Sequence, residues 1–188
     1  MPQVPLISGP NGSPVPAGVR LIRLANEPRL ENLSPEAIRQ TTEGKALPSF
    51  FAFSSEEKKQ PIPRLSVWVD GLTTVVQAVV LLGATPERRV VLFLNADDVR
   101  TVFAPGIDKF PSTPPLDIHW ERATNLSETG DRVNETRPGW EGHAGITSLD
   151  CGNKSQRASL RISLSAIAQL RVLTPEEIAT FKTFPETN

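Results

Sequence analysis

The chain has 188 residues, of which 38% are hydrophobic, enough for one sizeable core but short for two domains of ordinary size. Twenty Lys and Arg stand against 21 Asp and Glu, a formal net charge of −1, so no overall field draws the protein to nucleic acid or to an anionic membrane. A lone cysteine, Cys151, excludes an internal disulfide and argues against a thiolate metal cage, which suits a reducing compartment; the cytoplasm is the expected location.

Residues 1–17 carry Pro2, Pro5, Pro10, Pro14 and Pro16 with Gly9 and Gly12, and read as a proline-rich tail ahead of a single globular domain over 18–188. The start shows neither the basic opening nor the apolar run of a signal peptide, and no stretch approaches the roughly 20 apolar residues of a membrane span. Val19 to Leu24 is β-branched and apolar and predicts the first strand, with Arg20 and Arg23 on opposite faces. Ser34-Pro35-Glu36 starts a short helix that stops before Gly44. Phe50, Phe51 and Phe53, followed by the polar run Ser54 to Gln60, read as a loop that docks on the core and could alternatively anchor another protein, and Leu65 to Val69 reads as a strand.

Leu72, Val75, Val76, Val79 and Val80 share one helical face, which Gly83 closes. Arg89 to Leu94 is apolar on both faces and predicts the centre of the sheet, and Asn95 or Asp97 caps a short helix after it. Leu116 to Arg122 alternates apolar and polar residues as a half-exposed strand does; Thr124 to Gly142 is a long polar loop, and His143 to Leu149 is again a strand. Residues 157–170 fit either a helical stripe or an alternation, and the longer stripe selects helix, capped by Ser155. Thr174-Pro175-Glu176-Glu177 opens the last helix, with Ile178 and Phe181 as its buried face. The sum is an α+β (mixed α/β) fold: a mixed sheet of about five strands covered by helices.

Chemistry-bearing residues are few. Glycine-rich phosphate loops, dinucleotide fingerprints, His-Glu-x-x-His and Gly-x-Ser-x-Gly are absent from the sequence. Asp117, His119 and Glu121 alternate, so they share one face of a strand and could bind a divalent metal, particularly with His143 on a neighbouring strand; the solvated face of an antiparallel strand is the preferred reading, and no metal and no cofactor is expected. His143 sits among Gly142, Ala144 and Gly145, where a ligand could approach its ring, and Cys151 follows eight residues on. Arg157 and Arg161 are one helical turn apart, in a stretch without acidic residues, and could hold a phosphate or a partner's carboxylates.

Arg20-Leu-Ile-Arg23, Phe51-Ala-Phe53, Leu65-Ser-Val-Trp68 and Gly142-His-Ala-Gly-Ile146 together resemble small uncharacterised bacterial proteins of unknown function. That resemblance implies a bacterial cytosolic origin and no particular chemistry. The expected function is a non-enzymatic interaction module, an accessory subunit of a bacterial complex that binds another protein, not nucleic acid or membrane, through Phe50, Phe51, Phe53, Arg157 and Arg161 or through the tail. The alternative is a hydrolase, nuclease or transferase using His143, His119, Glu121 and Asp117, or Arg23.

Overall fold

In the computed structural model, residues 6–26, 35–60, 62–81, 89–121 and 139–183 are described. Their strands are β1 (Arg20–Asn26), β2 (Leu65–Val69), β3 (Arg89–Asn95), β4 (Asp117–Trp120), β5 (His143–Thr147) and β6 (Gln169–Val172). The helices are α1 (Pro35–Thr42), α2 (Ser55–Lys59), α3 (Val75–Leu81), α4 (Ala96–Arg100), α5 (Lys154–Ile167) and α6 (Pro175–Thr183), with 3-10 turns at Pro48–Phe51 and Trp140–Gly142. The strands form one sheet in the order β4-β5-β2-β1-β3-β6, and every pairing is antiparallel. The α+β class therefore holds, but with six strands where about five were expected and without a parallel pair. β3 lies one strand from the edge; β1 and β2 hold the centre.

Strand alternation sorts the apolar side chains into two layers. Leu21, Val67, Leu92, Ile118, Trp120 and Ile146 point to one face, where Leu160 and Leu164 of α5 and the turn residues Phe50 and Phe51 cover them. Ile22, Leu24, Trp68 and Val91 point to the other, beneath Ala78 and Val79 of α3. On β4 and β5 that second face turns polar: it carries Asp117 and His119, then His143 and Thr147.

Local chemistry sets the ends of the elements. α2 arises from a capping box in which Ser54 Oγ accepts from the Glu57 amide and Glu57 returns a carboxylate to the Ser54 amide. α5 begins three residues earlier than expected: its cap is Asn153, paired in the same way with Gln156, and not Ser155. The helix ends at Ile167, and Gln169–Val172 becomes the sixth strand, whose first two residues fall inside the helix expected over 157–170. Gly83, most of the loop read over Thr124–Gly142, and the side chains of Ile178 and Phe181 lie outside the described residues.

The segment read as a tail is docked from Gly9 to Val15. The Gly12 amide donates to the Trp120 carbonyl (2.8 Å), the Trp120 amide to the Ser13 carbonyl (2.9 Å) and the Val15 amide to the Ile118 carbonyl (2.9 Å). Pro14, which has no donor, occupies the bridge position opposite His119, where none is used. Val15 is 2% exposed, and a Cβ on Gly9 would stand 2.6 Å from the Trp120 indole. The strap thus closes the β4 edge that would otherwise offer unpaired backbone groups.

Candidate functional site

The side chains singled out in the sequence fall into three places. The first is the outer end of β4. His119 Nδ1 lies 2.9 Å from the Gly12 carbonyl and its Nε2 lies 3.0 Å from Asp117 Oδ2. Arg100 donates to Asp117 Oδ1 (2.9 Å) and to the Val15 carbonyl. Burial pulls the Asp117 carboxyl upward, yet the Arg100 hydrogen bond and the Ile118 amide outweigh it and hold the group below its ordinary range. Asp117 and His119 are therefore a clasp that fastens the strap to the sheet.

The second place is the junction of β4 and β5. His143 is wedged between Trp68 and Trp140, its ring centroid 4.6 Å from one and 4.9 Å from the other. Its Nδ1 donates to the Glu121 carbonyl (3.1 Å), leaving Nε2 3.8 Å from Glu121 Oε2, beyond hydrogen bonding. Burial lowers the imidazole to about 4, against the pull of the Glu121 carbonyl and of the Glu57 charge. The same burial raises the Glu121 carboxyl, and Arg64, 3.6 Å away, offsets only part of that. The small residues beside His143 serve the fold: a Cβ on Gly145 would meet the Glu121 carboxyl carbon at 2.8 Å and Arg64 at 2.9 Å. The close approach that the sequence suggested is made by the protein's own side chains. Chemically the site is a neutral imidazole beside a carboxyl held toward its protonated form. Cys151 is a half-buried free thiol. Among the described residues, no three His, Cys, Asp or Glu side chains gather as metal ligands, and no helix is long and apolar enough to cross a membrane.

The third place is a groove of about 340 Å³ between α5 and the segment from Phe51 to Pro63. Here the structure corrects the phenylalanine loop. Phe50 and Phe51 are 5% and 0% exposed, because the 3-10 turn drives them into the core, so they cannot anchor a partner. Phe53 stays half-buried and lines the groove with Pro63, across from α5 and beside buried Phe51 and Leu149. Arg157 and Arg161 form one wall, and Lys58 and Asp150 also line it. Two residue sets separated by about a hundred positions in the chain thus meet at one site.

The two arginines differ from the others. Arg20, Arg23, Arg39, Arg64, Arg100 and Arg171 each face a carboxylate, at separations from 2.5 Å (Arg20 to Asp70) to 3.6 Å (Arg64 to Glu121). Among the described residues, Arg157 and Arg161 face none. Arg157 Nη1 donates to the Gly152 carbonyl (2.6 Å) and more weakly to that of Asp150 (3.5 Å), and Arg161 Nε donates to the Arg157 carbonyl (3.3 Å). Both side chains lean on backbone carbonyls, and neither makes an ion pair among the described residues.

The sequence reading missed Glu57 and its role. β1 and β2 pair only at Leu21 with Val69 and Ile22 with Trp68, then separate. Into the gap come Arg23, which donates to the Ser66 carbonyl (2.9 Å) and to Glu57 (2.6 Å), and Glu57, which accepts from the Ser66 amide (2.7 Å). The ion pair takes over the backbone groups of Ser66 that the neighbouring strand leaves. Burial pulls the Glu57 carboxyl upward, but the charge and hydrogen bond of Arg23 and the amides of Ser54 and Ser66 hold it below the usual range. The signal was present as Ser54-x-x-Glu57, a capping-box spacing.

No protein-family model, no curated protein and no solved structure matches the chain. The functional reading therefore stands on the chemistry of these three places.

Proposed function

We propose that the protein is a non-enzymatic interaction module, an accessory subunit that binds another protein in the groove between α5 and Phe53–Pro63. The observation that supports this reading is the pair Arg157 and Arg161, leaning on backbone carbonyls and left without an ion pair across from an apolar lining. A charge half-desolvated and without an ion-pair partner costs the folded protein something, and an external carboxylate recovers that cost as charge-assisted hydrogen bonds. Apolar lining and charged wall together match a protein interface, in which an anchor fills a pocket and a polar rim orients it. The free thiol and the sequence resemblance favour the cytoplasm of a bacterium as the setting.

The test is co-purification of the tagged full chain from its host, with and without the double substitution Arg157→Ala and Arg161→Ala. Expected is a partner lost by the double variant, and weakened by Arg161→Ala alone, while circular dichroism shows that the fold is retained. Recovery of the same partners by both proteins would overturn the assignment of the groove.

A hydrolase or transferase centred on Glu121 and His143 is the second reading, favoured by their opposed displacements within one desolvated site. It carries less weight because Nδ1 is committed to a backbone carbonyl and Nε2 meets Trp68, Trp140 and Glu121 instead of an open cavity. Turnover of ester or phosphoester substrates that vanishes in Glu121→Gln with the fold intact would reverse the ranking.

A further inference from the structure

The charge left open in the groove also restricts what enters it. This step rests on the groove being the partner site. Arg157 and Arg161 stand one turn apart on α5, a spacing that brings the bases of their side chains within about 5–6 Å. In an extended peptide, residues i and i+2 project to the same side and lie roughly 6.5 Å apart, while residue i+1 projects to the opposite side. Two carboxylates at i and i+2 therefore match the two guanidinium groups, whose long stems absorb the remaining difference. The side chain between them then points away from α5, toward Phe53 and Pro63.

We infer that the groove recognises a short extended segment of a partner protein with the alternating pattern acidic, large apolar, acidic. The carboxylates pair with Arg157 and Arg161, and an aromatic or aliphatic side chain rests on Phe53 and Pro63. Lys58, exposed and without a carboxylate among the described residues, extends the positive field along the groove. Asp150 is the single acidic group in the lining, and it disfavours a segment whose acidic residues run past the arginines.

Charge complementarity selects this occupant over the others. A neutral apolar peptide leaves both guanidinium groups desolvated and unpaired, which interfaces avoid. A bilayer surface is served by basic residues spread over an outward face. Here they line a recess in a chain whose net charge is −1.

The experiment measures fluorescence anisotropy of labelled peptides on the full chain at low salt. The probes are Glu-Phe-Glu-Phe-Glu, its isomer Phe-Phe-Glu-Glu-Glu and the neutral Gln-Phe-Gln-Phe-Gln; inorganic phosphate and phosphatidylglycerol vesicles are tested alongside. Expected is binding of the alternating peptide, weakened about tenfold in the neutral peptide and about threefold in the isomer, and falling as salt rises. Arg161→Ala should weaken it by about tenfold, and Lys58→Ala by about threefold. Because Arg157 also braces the loop at Gly152, Arg161 and Lys58 carry the test if Arg157→Ala fails to fold.

Equal binding of the neutral peptide, indifference to Arg161→Ala, or no binding of any peptide at millimolar concentration would overturn the pattern. Arginine-dependent binding of vesicles or phosphate with no peptide bound would reassign the groove to those ligands. If no peptide binds while the co-purifying partner is still lost in the double arginine variant, the module stands and the acidic, apolar, acidic pattern falls. If the alternating peptide binds while the partner set is unchanged, the pattern stands and the groove is not the contact to that partner.

Discussion

Arg23, bonded to Glu57 of α2, and the pair Arg157 and Arg161, which share a groove with Lys58 of the same helix, show two different uses of the same side chain. Arg23 is 8% exposed, held by a carboxylate and a backbone carbonyl, and its partner Glu57 is buried beside it. Arg157 and Arg161 are half-buried and meet only carbonyls. The first arrangement is closed to any partner: it joins β1, β2 and α2 out of reach of solvent, although its buried Nε makes no hydrogen bond. The second is open, because each guanidinium keeps donors that the protein does not fill. Pairing state, more than burial or position, separates the arginine that builds the fold from those that could bind.

The comparison is broken most severely at Arg23. Arg23→Met leaves the Glu57 carboxylate buried without its cation and the Ser66 carbonyl without its donor, and is expected to cost about 3–5 kcal/mol. The double variant Arg23→Met with Glu57→Leu should recover part of that loss, since removing both charges avoids the stranded ion. Urea unfolding of the four proteins in the cycle measures this. A double variant no more stable than Arg23→Met alone would show that the Ser66 backbone bonds, and not the charge pair, are what the plug protects.

His143 supplies the next largest effect. Its folded value of about 4 lies below the ordinary value of 6.5, so folding favours the neutral ring. Its stabilising contribution is fully present above pH 6.5 and is lost as pH falls through 6.5 toward 4, about 3 kcal/mol in all. Glu121 has the opposite sign: its raised carboxyl contributes stability below its ordinary value of 4.5, and that contribution is lost as pH rises through the folded value. Above 4.5, as far as the folded value of Glu121, the two slopes oppose each other. Chemical unfolding as a function of pH should steepen between pH 6.5 and 4 in Glu121→Gln and flatten there in His143→Gln. An unchanged profile in His143→Gln would mean that the ring does not control the acid limb.

Much of this architecture was legible because period and packing agree. β1, β2, β3 and β5 are apolar runs bounded by turn residues, and α5 carries a stripe through Leu160 and Leu164 that the core absorbs. β6 was hidden because Leu164, Ile167 and Ala168 prolong the helical stripe to within a residue of a strand only four residues long. The strap was hidden for another reason: its prolines signal a segment without periodicity, and what fixes it is the edge of β4, which lies a hundred residues away. The groove was half legible. The spacing of Arg157 and Arg161 could be read directly, but that Phe53 would face them while Phe50 and Phe51 turned inward depends on the path of the 3-10 turn.

The strap gives a smaller expected effect. Deleting residues 1–17 takes the buried Val15 out of the core, removes three backbone bonds to β4 and frees the Arg100 and His119 groups that clasp the strap. A loss of about 2 kcal/mol follows, a fall of roughly 4–8 °C in the thermal midpoint, with a greater tendency to self-associate through the opened edge. Scanning calorimetry and sedimentation on the shortened chain check both. A midpoint within a degree of the parent's would mean that the strap rests on the edge without contributing to stability.

The smallest effect sharpens the comparison most. Arg161 makes one long hydrogen bond to a backbone carbonyl within its own helix and faces no carboxylate among the described residues. Removing it therefore breaks no ion pair and strands no buried charge. Arg161→Ala should lie within about 0.5 kcal/mol of the parent in stability, and alanine's higher helix propensity offsets part of whatever packing is lost. Arg23→Met, by contrast, should unfold much of the protein under mild denaturant. If Arg161→Ala also proved strongly destabilising, the guanidinium would be structural after all, and the open charge in the groove would have an internal use. A stability near the parent's, together with loss of ligand, is what a residue retained for binding would show.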